Sequence, residues 1–354
     1  MTERIRGLIE RLAADGGLSV SEYAEVVRER DAEAAELLRG LASERRIESY
    51  GRTVFVRGLI EISNICKNDC LYCGIRRSNK ECERYRLDAE AILGCARHGY
   101  ELGFRTFVLQ GGEDGYFTDE RLVEIVKAIK REFPDCAVTL SMGERSRESY
   151  ERLYAAGADR YLLRHETATR EHYEKLHPGE MSFDGRMRCL ADLREIGFQT
   201  GCGFMVGSPY QTAEDIGRDL KFIEEFKPQM CGVGPFLPHR ATPFADFAAG
   251  SVELTCYLLS IIRLILPTVL LPATTALGTA MDGGRELGIL SGANVVMPNL
   301  SPMEERKKYE LYNGKLHSGS ESAEALRELE ARLSAIGYTI DYGRGDAKDF
   351  KRRK

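Results

Sequence analysis

Eight short runs rich in β-branched and aromatic residues alternate with amphipathic helical stretches along most of this 354-residue chain. The pattern predicts strands at residues 54–62, 105–110, 136–141, 159–165, 199–206, 229–236, 268–273 and 293–298. It predicts helices near residues 88–102, 118–132, 146–156, 183–196, 212–226, 251–265, 282–290 and 303–312. Eight strand–helix repeats favour an α/β fold, a (β/α)8 barrel of the TIM type, over the alternative of a doubly wound open sheet.

The ends of the chain depart from this alternation. Residues 1–50 are rich in helix formers and carry a capping-box pattern in "SVSE", which predicts an N-terminal helical extension. The barrel is expected to fill residues 51–315. Residues 316–354 are expected to belong to the same unit, with a helix near 322–335, a last strand at "YTIDY" and a solvated basic end, "KDFKRRK".

Composition excludes several classes of partner. The chain has 50 basic and 55 acidic residues, mixed along its length, so we expect no nucleic-acid partner. The N-terminus lacks the apolar core of a secretory signal. The most apolar stretch, "YLLSIIRLILPTVLLPA", is interrupted by Arg263 and two prolines, so we expect no membrane span. A cytoplasmic protein with its ten cysteines reduced is therefore expected.

Polar or glycine-rich segments follow most of the predicted strands. The segment "CKNDCLYC" follows the first strand, "QGGED" the second and "SMGE" the third, and "RHET" ends the fourth. The segment "MVGSP" ends the fifth strand, "PATTA" follows the seventh and "VVMPN" the eighth. Because the active sites of such barrels lie at the carboxyl ends of the strands, these segments are expected to meet at one rim.

Three cysteines, Cys66, Cys70 and Cys73, lie within thirteen residues of the segment "SNICKNDCLYCGI". Thiolates suit iron–sulfur ligation, and three ligands on a 4Fe-4S cluster would leave one iron open to bind a small molecule. One alternative is a zinc site with Cys82 as the fourth ligand. The other is burial of unliganded cysteines as small hydrophobic residues.

The spacing "CKNDCLYC", with Tyr72 just before the last cysteine, resembles the radical S-adenosylmethionine (SAM) superfamily. The resemblance implies that the open iron binds SAM and that an electron from the cluster cleaves it to methionine and a 5′-deoxyadenosyl radical. The segment "QGGED" resembles the glycine-rich element of that superfamily. It implies that Gly111, Gly112 and Glu113 hold the amino group of SAM, since glycines let backbone approach a ligand closely.

Three further segments narrow the resemblance. "YLLRHET", "PATTALGT" and "GANVVMPNLSP" together resemble the FeFe-hydrogenase maturase of the HydE type, from about residue 50 to residue 315. Methylornithine synthase and biotin synthase are its nearest relatives. The segments "RYRL" and "SFDGR" are shared with methylornithine synthase and do not discriminate between the two.

The resemblance implies a radical SAM enzyme that acts on a cysteine-containing iron carbonyl–cyanide precursor during H-cluster maturation. The implied partners are a tyrosine-cleaving radical SAM maturase, a GTPase scaffold and an electron donor such as a flavodoxin or ferredoxin. One alternative is another radical SAM activity of the methylornithine synthase or biotin synthase type, on an amino-acid-derived substrate. An alternative from a different class is a zinc-stabilised barrel that acts as a binding protein.

The fourth predicted strand carries charged residues on one side. Arg160, Leu162, Arg164 and Glu166 alternate there, and if that side faces the lumen, the charges need partners or ligands. The alternative is an Arg–Glu pair that satisfies itself. The resemblance implies that Glu166 binds the ribose hydroxyls of SAM and that Arg186 pairs with its carboxylate. The other residues implied at the SAM site are Tyr72, Gln110, Ser141 and Met205.

A substrate pocket is implied deeper in the barrel. Arg164 and Thr139 would meet an anionic group of the substrate, and the other walls would be Thr274, Thr275, Met297, Tyr309 and Tyr312. The alternative for the two later threonines is turn chemistry at a strand end. For the two tyrosines, it is a helix face packed on the barrel.

Some members of the resembled family carry a second cluster on three cysteines after the eighth strand. The corresponding segment here, "YNGKLHSGSESAEALRELEA", contains no cysteine, and Cys256 is the last cysteine of the chain. One cluster is therefore expected. The remaining thiols are expected in the core or at the surface: Cys95, Cys136, Cys189, Cys202, Cys231 and Cys256.

Overall fold

Helices and strands alternate from residue 53 onward in the computed structural model, which describes residues 1–318 and 322–351. The helices are α1 (Glu3–Asp15), α2 (Val20–Arg28), α3 (Ala32–Tyr50), α4 (Ala89–Glu101), α5 (Asp119–Glu132), α6 (Arg147–Ala155), α7 (Arg170–Leu176), α8 (Phe183–Ile196), α9 (Ala213–Phe226), α10 (Val252–Ile265), α11 (Thr275–Ala280), α12 (Gly284–Leu290), α13 (Met303–Arg306) and α14 (Leu326–Ala335). The strands are β1 (Thr53–Val56), β2 (Gly58–Ser63), β3 (Thr106–Gly111), β4 (Ala137–Ser141), β5 (Arg160–Leu162), β6 (Gln199–Cys202), β7 (Met205–Val206), β8 (Met230–Cys231), β9 (Gly234–Pro235), β10 (Val295–Val296) and β11 (Thr339–Asp341).

Six strands form a continuous parallel sheet in the order β2–β3–β4–β5–β6–β8. The sheet continues through single parallel bridges, from Met230 to Leu270 and from Pro272 to Val295. A further parallel bridge joins Asn299 to a residue of β2, so the last segment returns to the first. This closed ring of parallel segments, with helices between them, confirms the predicted (β/α)8 barrel.

Four predicted strands are interrupted in the structure. The predicted strand 199–206 is divided into β6 and β7, and the predicted strand 229–236 into β8 and β9. The predicted strand 54–62 is divided at Arg57, because β1 pairs with β10 and β11 whereas β2 pairs with β3. The predicted strand 268–273 forms single bridges rather than a continuous strand. Pro272 within it has no N–H group to donate to a neighbouring strand. The expected last strand is confirmed as β11, which pairs with β1.

The helices differ from the sequence-based prediction in three places. Two short helices, α7 and α11, lie in segments where the pattern predicts none. The helix predicted near 303–312 is wrong beyond Arg306, where α13 ends and turns follow. The reason is that Tyr309 is buried and its hydroxyl contacts Gln110 at the barrel mouth, which takes the chain off the helical path.

The three N-terminal helices pack on the outer helical layer of the barrel. Helix α2 packs against α9, and α3 packs against α10. The hydroxyl of Tyr257 donates a hydrogen bond to the Val26 carbonyl at 3.0 Å. Helix α10 contains most of the longest apolar stretch, and its buried Arg263 donates to the carbonyls of Gly292 and Pro267. Within the described residues, no helix is both long and apolar enough to span a membrane.

The carboxyl-terminal segment closes the end of the barrel opposite the cysteine loop. Arg160 points into this end and is fully buried. Its guanidinium donates to the Asp346 carboxylate at 2.6 Å and to the Thr106 hydroxyl at 3.0 Å. Gln199 donates to the same carboxylate at 2.6 Å and accepts from the Ala347 N–H at 3.0 Å. Strands β3, β5 and β6 therefore begin at a polar floor that the C-terminal segment completes.

The last residues agree only in part with the expected solvated end. Lys348, Asp349 and Lys351 are exposed, whereas Phe350 packs against an apolar cluster that includes Met230. Residues 352–354 lie outside the described part of the chain.

Asp346→Ala should destabilise the fold, because it leaves the fully buried Arg160 without its carboxylate. Breaking a buried ion pair costs about 3–5 kcal/mol. Since the Asp346 side chain is 37% exposed, we expect a loss below that range, about 2–3 kcal/mol. Urea unfolding followed by circular dichroism measures the loss. Asp349→Ala is the matched control and should change the unfolding free energy by about 0.5 kcal/mol or less. Equal stability of the two variants would contradict the floor's role.

Candidate active site

The loop after β2, residues 64–82, brings Cys66, Cys70 and Cys73 together at the rim of the barrel. The three thiols are free and partly buried. Burial raises the pKa of the Cys73 thiol to about 12, and the charges of Cys66 and Glu166 act in the same direction. Burial also raises the pKa of the Cys70 thiol, with Cys73 and Cys66 adding to the effect. The three thiols therefore act on one another electrostatically.

The donor set of this loop fits an iron–sulfur cluster. Within residues 1–318 and 322–351, no three His, Cys, Asp or Glu side chains converge on a single metal ion. A 4Fe-4S cubane does not need such convergence, because each thiolate binds a different iron. The Cys82 sulfur accepts a hydrogen bond from the Asn64 amide at 3.5 Å. The charged groups that act on Cys82 are Arg84, Glu310 and Glu83 rather than the three cysteines.

One arginine organises the cysteine loop, which has no regular secondary structure of its own. The Arg84 guanidinium donates to the carbonyls of Asn64 and Ile75 at 2.6 and 2.8 Å. Its other terminal nitrogen donates to the carbonyls of Arg76 and Asn79 at 2.6 and 3.0 Å. Buried carbonyls need donors, and here a single side chain supplies four of them.

Glycines allow the loop to touch its neighbours. A side chain at Gly112 would place its Cβ 2.3 Å from the Ile65 carbonyl oxygen. A side chain at Gly74 would place its Cβ 2.2 Å from the Glu310 carbonyl oxygen. Directly after Gly112, the Glu113 N–H donates to the Cys66 sulfur at 3.4 Å. The glycine-rich segment after β3 therefore lies directly against the cysteine loop.

The loop is also attached on two other sides. The Leu71 N–H donates to the Leu176 carbonyl at 3.0 Å, and the Gly74 N–H donates to the Leu311 carbonyl at 2.8 Å. The Tyr72 hydroxyl lies 3.1 Å from Nε2 of His177. Burial lowers the pKa of His177 to about 3.

The tautomer of His177 follows from its second contact. Its Nδ1 donates to the Tyr173 carbonyl at 2.9 Å, so Nε2 accepts from the Tyr72 hydroxyl. The Tyr72 ring packs against an apolar cluster that contains Met205 and Phe236. Two residues expected near SAM, Tyr72 and Met205, thus share one wall beside the cysteines.

Two contacts hold the Glu113 carboxylate, one from a backbone N–H group and one from a charged side chain. Its carboxylate accepts from the Glu144 N–H at 3.0 Å and lies 3.1 Å from the Lys67 ammonium. Gln110 and Ser141 are direct neighbours in the register of β3 and β4. The structure therefore places these residues of the expected SAM site along one edge of the barrel mouth.

Arg164 and Glu166 lie just beyond the end of β5 and form an incomplete pair. Their nearest charged atoms are 3.1 Å apart. Among the described residues, however, Nε and Nη2 of Arg164 and Oε2 of Glu166 make no hydrogen bond, although all three atoms are buried. A buried charged group needs hydrogen bonds, so the pair does not satisfy itself and retains capacity for a ligand.

Arg186 is fixed from two directions. Its Nε donates to the Glu144 carboxylate at 2.5 Å, and its Nη1 donates to the Arg164 carbonyl at 2.6 Å. The guanidinium is buried close enough to Cys70 for its charge to affect that thiol.

Buried hydroxyls lie farther into the barrel. Oγ1 of Thr139 on β4 and Oγ1 of Thr274 before α11 are both buried without a hydrogen-bonding partner in the described part of the chain. Thr275 begins α11. Met297 packs against an apolar cluster that includes Met230. That these residues touch substrate stays a prediction.

The two tyrosines of the expected pocket lie on turns, so the alternative of a helix face is wrong for them. Tyr309 is buried, and burial, followed by the charge of Glu61, raises the pKa of its hydroxyl. Burial likewise raises the pKa of Tyr312, whose hydroxyl also contacts Thr279. Arg164 is among the charges that act on Tyr312, which places that tyrosine on the same side of the mouth.

The sequence analysis missed a buried ion pair at this mouth. The Lys315 ammonium lies 2.6 Å from Glu61 on β2, and the Asn299 amide donates to the same carboxylate at 2.8 Å. Lys315 also lies 5.0 Å above the centre of the Tyr309 ring. The signal for Glu61 is present in the sequence, as one charge inside the apolar run "GLIEIS". No local pattern identifies Lys315.

Comparison with known proteins agrees with this geometry. Residues 60–223 match the radical SAM superfamily. The chain is 48% identical over 281 residues to the FeFe-hydrogenase maturase subunit HydE of Thermotoga maritima, covering 79% of this chain and 80% of that protein. It is 32% identical over 286 residues to 3-methylornithine synthase of Methanosarcina acetivorans, covering 78% and 79% of the two chains.

A solved structure gives the same result for the fold. The crystal structure of methylornithine synthase (PylB) superposes with a TM-score of 0.82 at 26% identity, over 94% of this chain and 97% of that chain. The resemblance stated from the cysteine spacing and from the "RHET" and "PATTA" segments is confirmed. The chain belongs to the radical SAM superfamily and, within it, to the family of the FeFe-hydrogenase maturase subunit HydE.

Proposed function

We propose that this radical SAM enzyme acts in assembly of the FeFe-hydrogenase active site and carries one 4Fe-4S cluster on Cys66, Cys70 and Cys73. The observation that carries the proposal is the position of three half-buried thiols beside buried polar atoms that lack hydrogen bonds. The 48% identity to HydE supports hydrogenase maturation as the setting. We place the enzyme in the cytoplasm.

When bound, the reduced cluster and SAM supply methionine and a 5′-deoxyadenosyl radical. Oε2 of Glu166 makes no hydrogen bond within the described residues and would accept from the ribose hydroxyls. The buried guanidinium of Arg186 would pair with the carboxylate. The backbone of Gly111 and Gly112, with Glu113, would hold the amino group. Side chains of Tyr72, Gln110, Ser141 and Met205 would line the same cleft.

The proposed substrate is the cysteine-containing iron carbonyl–cyanide precursor of the H-cluster. Nε and Nη2 of Arg164 form a planar donor edge without hydrogen bonds, which suits an anionic group. The unpartnered hydroxyl of Thr139 would contact the same group. Thr274, Thr275, Met297, Tyr309 and Tyr312 would form the remaining walls.

The closed floor of the barrel supports radical chemistry. Asp346 and its neighbours seal the amino ends of the strands, so substrate and SAM would both enter at the rim. A site that excludes water limits the side reactions of a reactive intermediate.

The proposed partners follow from the family. A tyrosine-cleaving radical SAM maturase would supply the precursor, and a GTPase scaffold would receive the product. A flavodoxin or ferredoxin would reduce the cluster.

A second candidate is a carbon-skeleton rearrangement of an amino acid of the methylornithine synthase type. The PylB superposition favours it, with a TM-score of 0.82. Anaerobic reconstitution with iron and sulfide, followed by assays with SAM and either lysine or the iron precursor, separates the two. We expect 5′-deoxyadenosine formation to depend on the iron precursor. Turnover of lysine to methylornithine would establish the second candidate, and a colourless zinc protein would contradict both.

Cys66→Ala, Cys70→Ala and Cys73→Ala should each abolish the cluster, because each thiolate holds one iron. Cys82→Ala is the matched control, since its sulfur contacts Asn64 rather than the three cysteines. It should retain about four iron atoms per chain and an unchanged visible absorbance. Iron analysis of the reconstituted proteins checks this, and loss of iron in Cys82→Ala would support a fourth protein ligand instead.

Glu166→Gln should weaken SAM binding about tenfold or more, because a hydrogen bond to a charged group contributes about 1.5–3 kcal/mol. The cluster absorbance should not change. Equilibrium binding of SAM to the reconstituted enzyme measures the effect, with the exposed Glu171→Gln on α7 as the control. Parental affinity in Glu166→Gln would show that the ribose assignment is wrong.

Arg164→Lys should keep the cluster and bind SAM while failing to process the iron precursor. A lysine retains the charge but loses the planar donor edge. Product formation and SAM affinity are measured on the same preparation, with the exposed Arg188→Lys on α8 as the control. If the variant loses SAM affinity instead, Arg164 acts mainly by orienting Glu166, and the proposal that Arg164 binds substrate is wrong.

A further inference from the structure

Glu166 has a backbone conformation that residues other than glycine rarely adopt. Its φ angle is 66°, and within the described residues only Tyr210 and Lys227 share a positive φ without being glycine. Lys227 is the cap that ends α9, a common place for this conformation. Glu166 is instead buried at the end of a barrel strand. Such a conformation persists only where the surrounding structure holds it in place.

The peptide groups of Gly203 hold this position from the neighbouring strand. The Glu166 N–H donates to the Gly203 carbonyl at 3.0 Å. The Gly203 N–H donates in the opposite direction, to Nδ1 of His165 at 3.2 Å. Glu166, through its backbone, and His165, through its side chain, are thus both hydrogen-bonded to Gly203, which lies beyond the end of β6.

Asp219 supports the same turn from behind. It lies within α9, is fully buried, and accepts from the Ala168 N–H at 2.5 Å. Because Nδ1 of His165 accepts a hydrogen bond, its proton lies on Nε2, which faces the Asp219 carboxyl group at 3.3 Å. The His165 ring also packs on Phe222 of α9 at a centroid distance of 4.7 Å.

His165 and Asp219 lie outside the barrel lumen and do not reach the reacting atoms. The His165 ring packs on Phe222 of α9 and so points to the helical layer, whereas Arg164 and Glu166 face each other at the barrel mouth. Burial lowers the pKa of His165 to about 3, so the imidazole is neutral near pH 7, and burial raises the pKa of Asp219. Neither is therefore placed to act as an acid or base on a ligand.

We propose that His165 and Asp219 are positioning residues that fix the left-handed backbone of Glu166 and thereby set the affinity for SAM. The inference rests on the proposed role of Glu166 at the ribose. The imidazole ties residue 165 to Gly203, the carboxyl group ties residue 168 to α9, and Glu166 lies between these two anchors. Release of either anchor allows the backbone to relax to a common conformation and turns the carboxylate away from the ribose.

A double-mutant cycle on the reconstituted enzyme tests this, with SAM affinity as the readout. His165→Leu should weaken SAM binding by about threefold to tenfold, because it loosens one charged hydrogen bond without removing it. In Glu166→Gln, the added His165→Leu change should have almost no further effect, since its whole action passes through Glu166. Fully additive losses, or parental affinity in His165→Leu, would overturn the proposal.

Substitutions at Asp219 provide a second test, which remains available if His165→Leu fails to fold. Asp219→Asn keeps a neutral oxygen acceptor for the Ala168 N–H and should bind SAM as the parent does. Asp219→Leu removes the acceptor and should lose affinity to the same extent as His165→Leu. Weak binding by Asp219→Asn together with parental binding by Asp219→Leu would contradict the assignment.

Two controls separate positioning from general damage. Tyr257→Phe removes a buried hydrogen bond of α10, far from the site, and should lower the melting temperature while leaving SAM affinity unchanged. A loss of SAM affinity in this control would show that destabilisation alone explains the results and would overturn the proposal. If Glu166→Gln itself binds SAM normally, the ribose assignment fails and the positioning role fails with it. If Glu166→Gln binds weakly and His165→Leu binds normally, only the positioning role fails.

Discussion

The four hydrogen bonds from Arg84 to loop carbonyls are the interaction on which the rest of the site depends. A loop that must present three thiolates to a bulky inorganic group cannot form a helix or a strand, so its carbonyls have no regular donors. One guanidinium replaces the missing secondary structure. The loop can then be rigid without regular secondary structure. The spacing of its cysteines can follow the geometry of a cluster rather than the repeat of a helix or a strand.

The two ends of the barrel differ in how their buried polar groups are paired. At one end, Arg160 and Gln199 donate to the Asp346 carboxylate and form a floor, although Nε of Arg160 makes no hydrogen bond within the described residues. At the other end, Arg164, Glu166, Thr139 and Thr274 retain buried polar atoms without hydrogen bonds. Buried polar groups are normally paired, so the four residues at the mouth are candidates for contact with ligands.

Much of the fold could be predicted from the sequence because the barrel repeats one local pattern. The eight strand positions, the helical N-terminus and the last strand all follow from hydrophobic periodicity. The cysteines and the glycines after β3 could be found because their chemistry depends on spacing along the chain. The interruption at Arg57 could not, since it results from a change of pairing partners that involves β10 and β11.

Side chains that act across long sequence separations escaped the sequence analysis. Arg84 lies in "RYRL", where nothing local distinguishes a loop organiser from a surface arginine. Lys315 reaches Glu61 across 254 residues, from a segment beyond the predicted helix 303–312. The partners of His165, which are Gly203 beyond β6 and Asp219 on α9, likewise come together only in the folded barrel. The sequence therefore indicated the residues proposed to face ligands, but not the residues that hold them in place.

The bond between Gly74 and Leu311 has a consequence for the order of events during synthesis. The cysteine loop comes from the first quarter of the chain, yet one of its backbone anchors is provided by a residue nearly 240 positions later. The ring itself closes only when Asn299 reaches β2. While the ribosome still holds the last third of the chain, the three thiols therefore have neither a closed barrel nor a complete frame. We therefore expect the finished chain, rather than the nascent chain, to receive iron and sulfide.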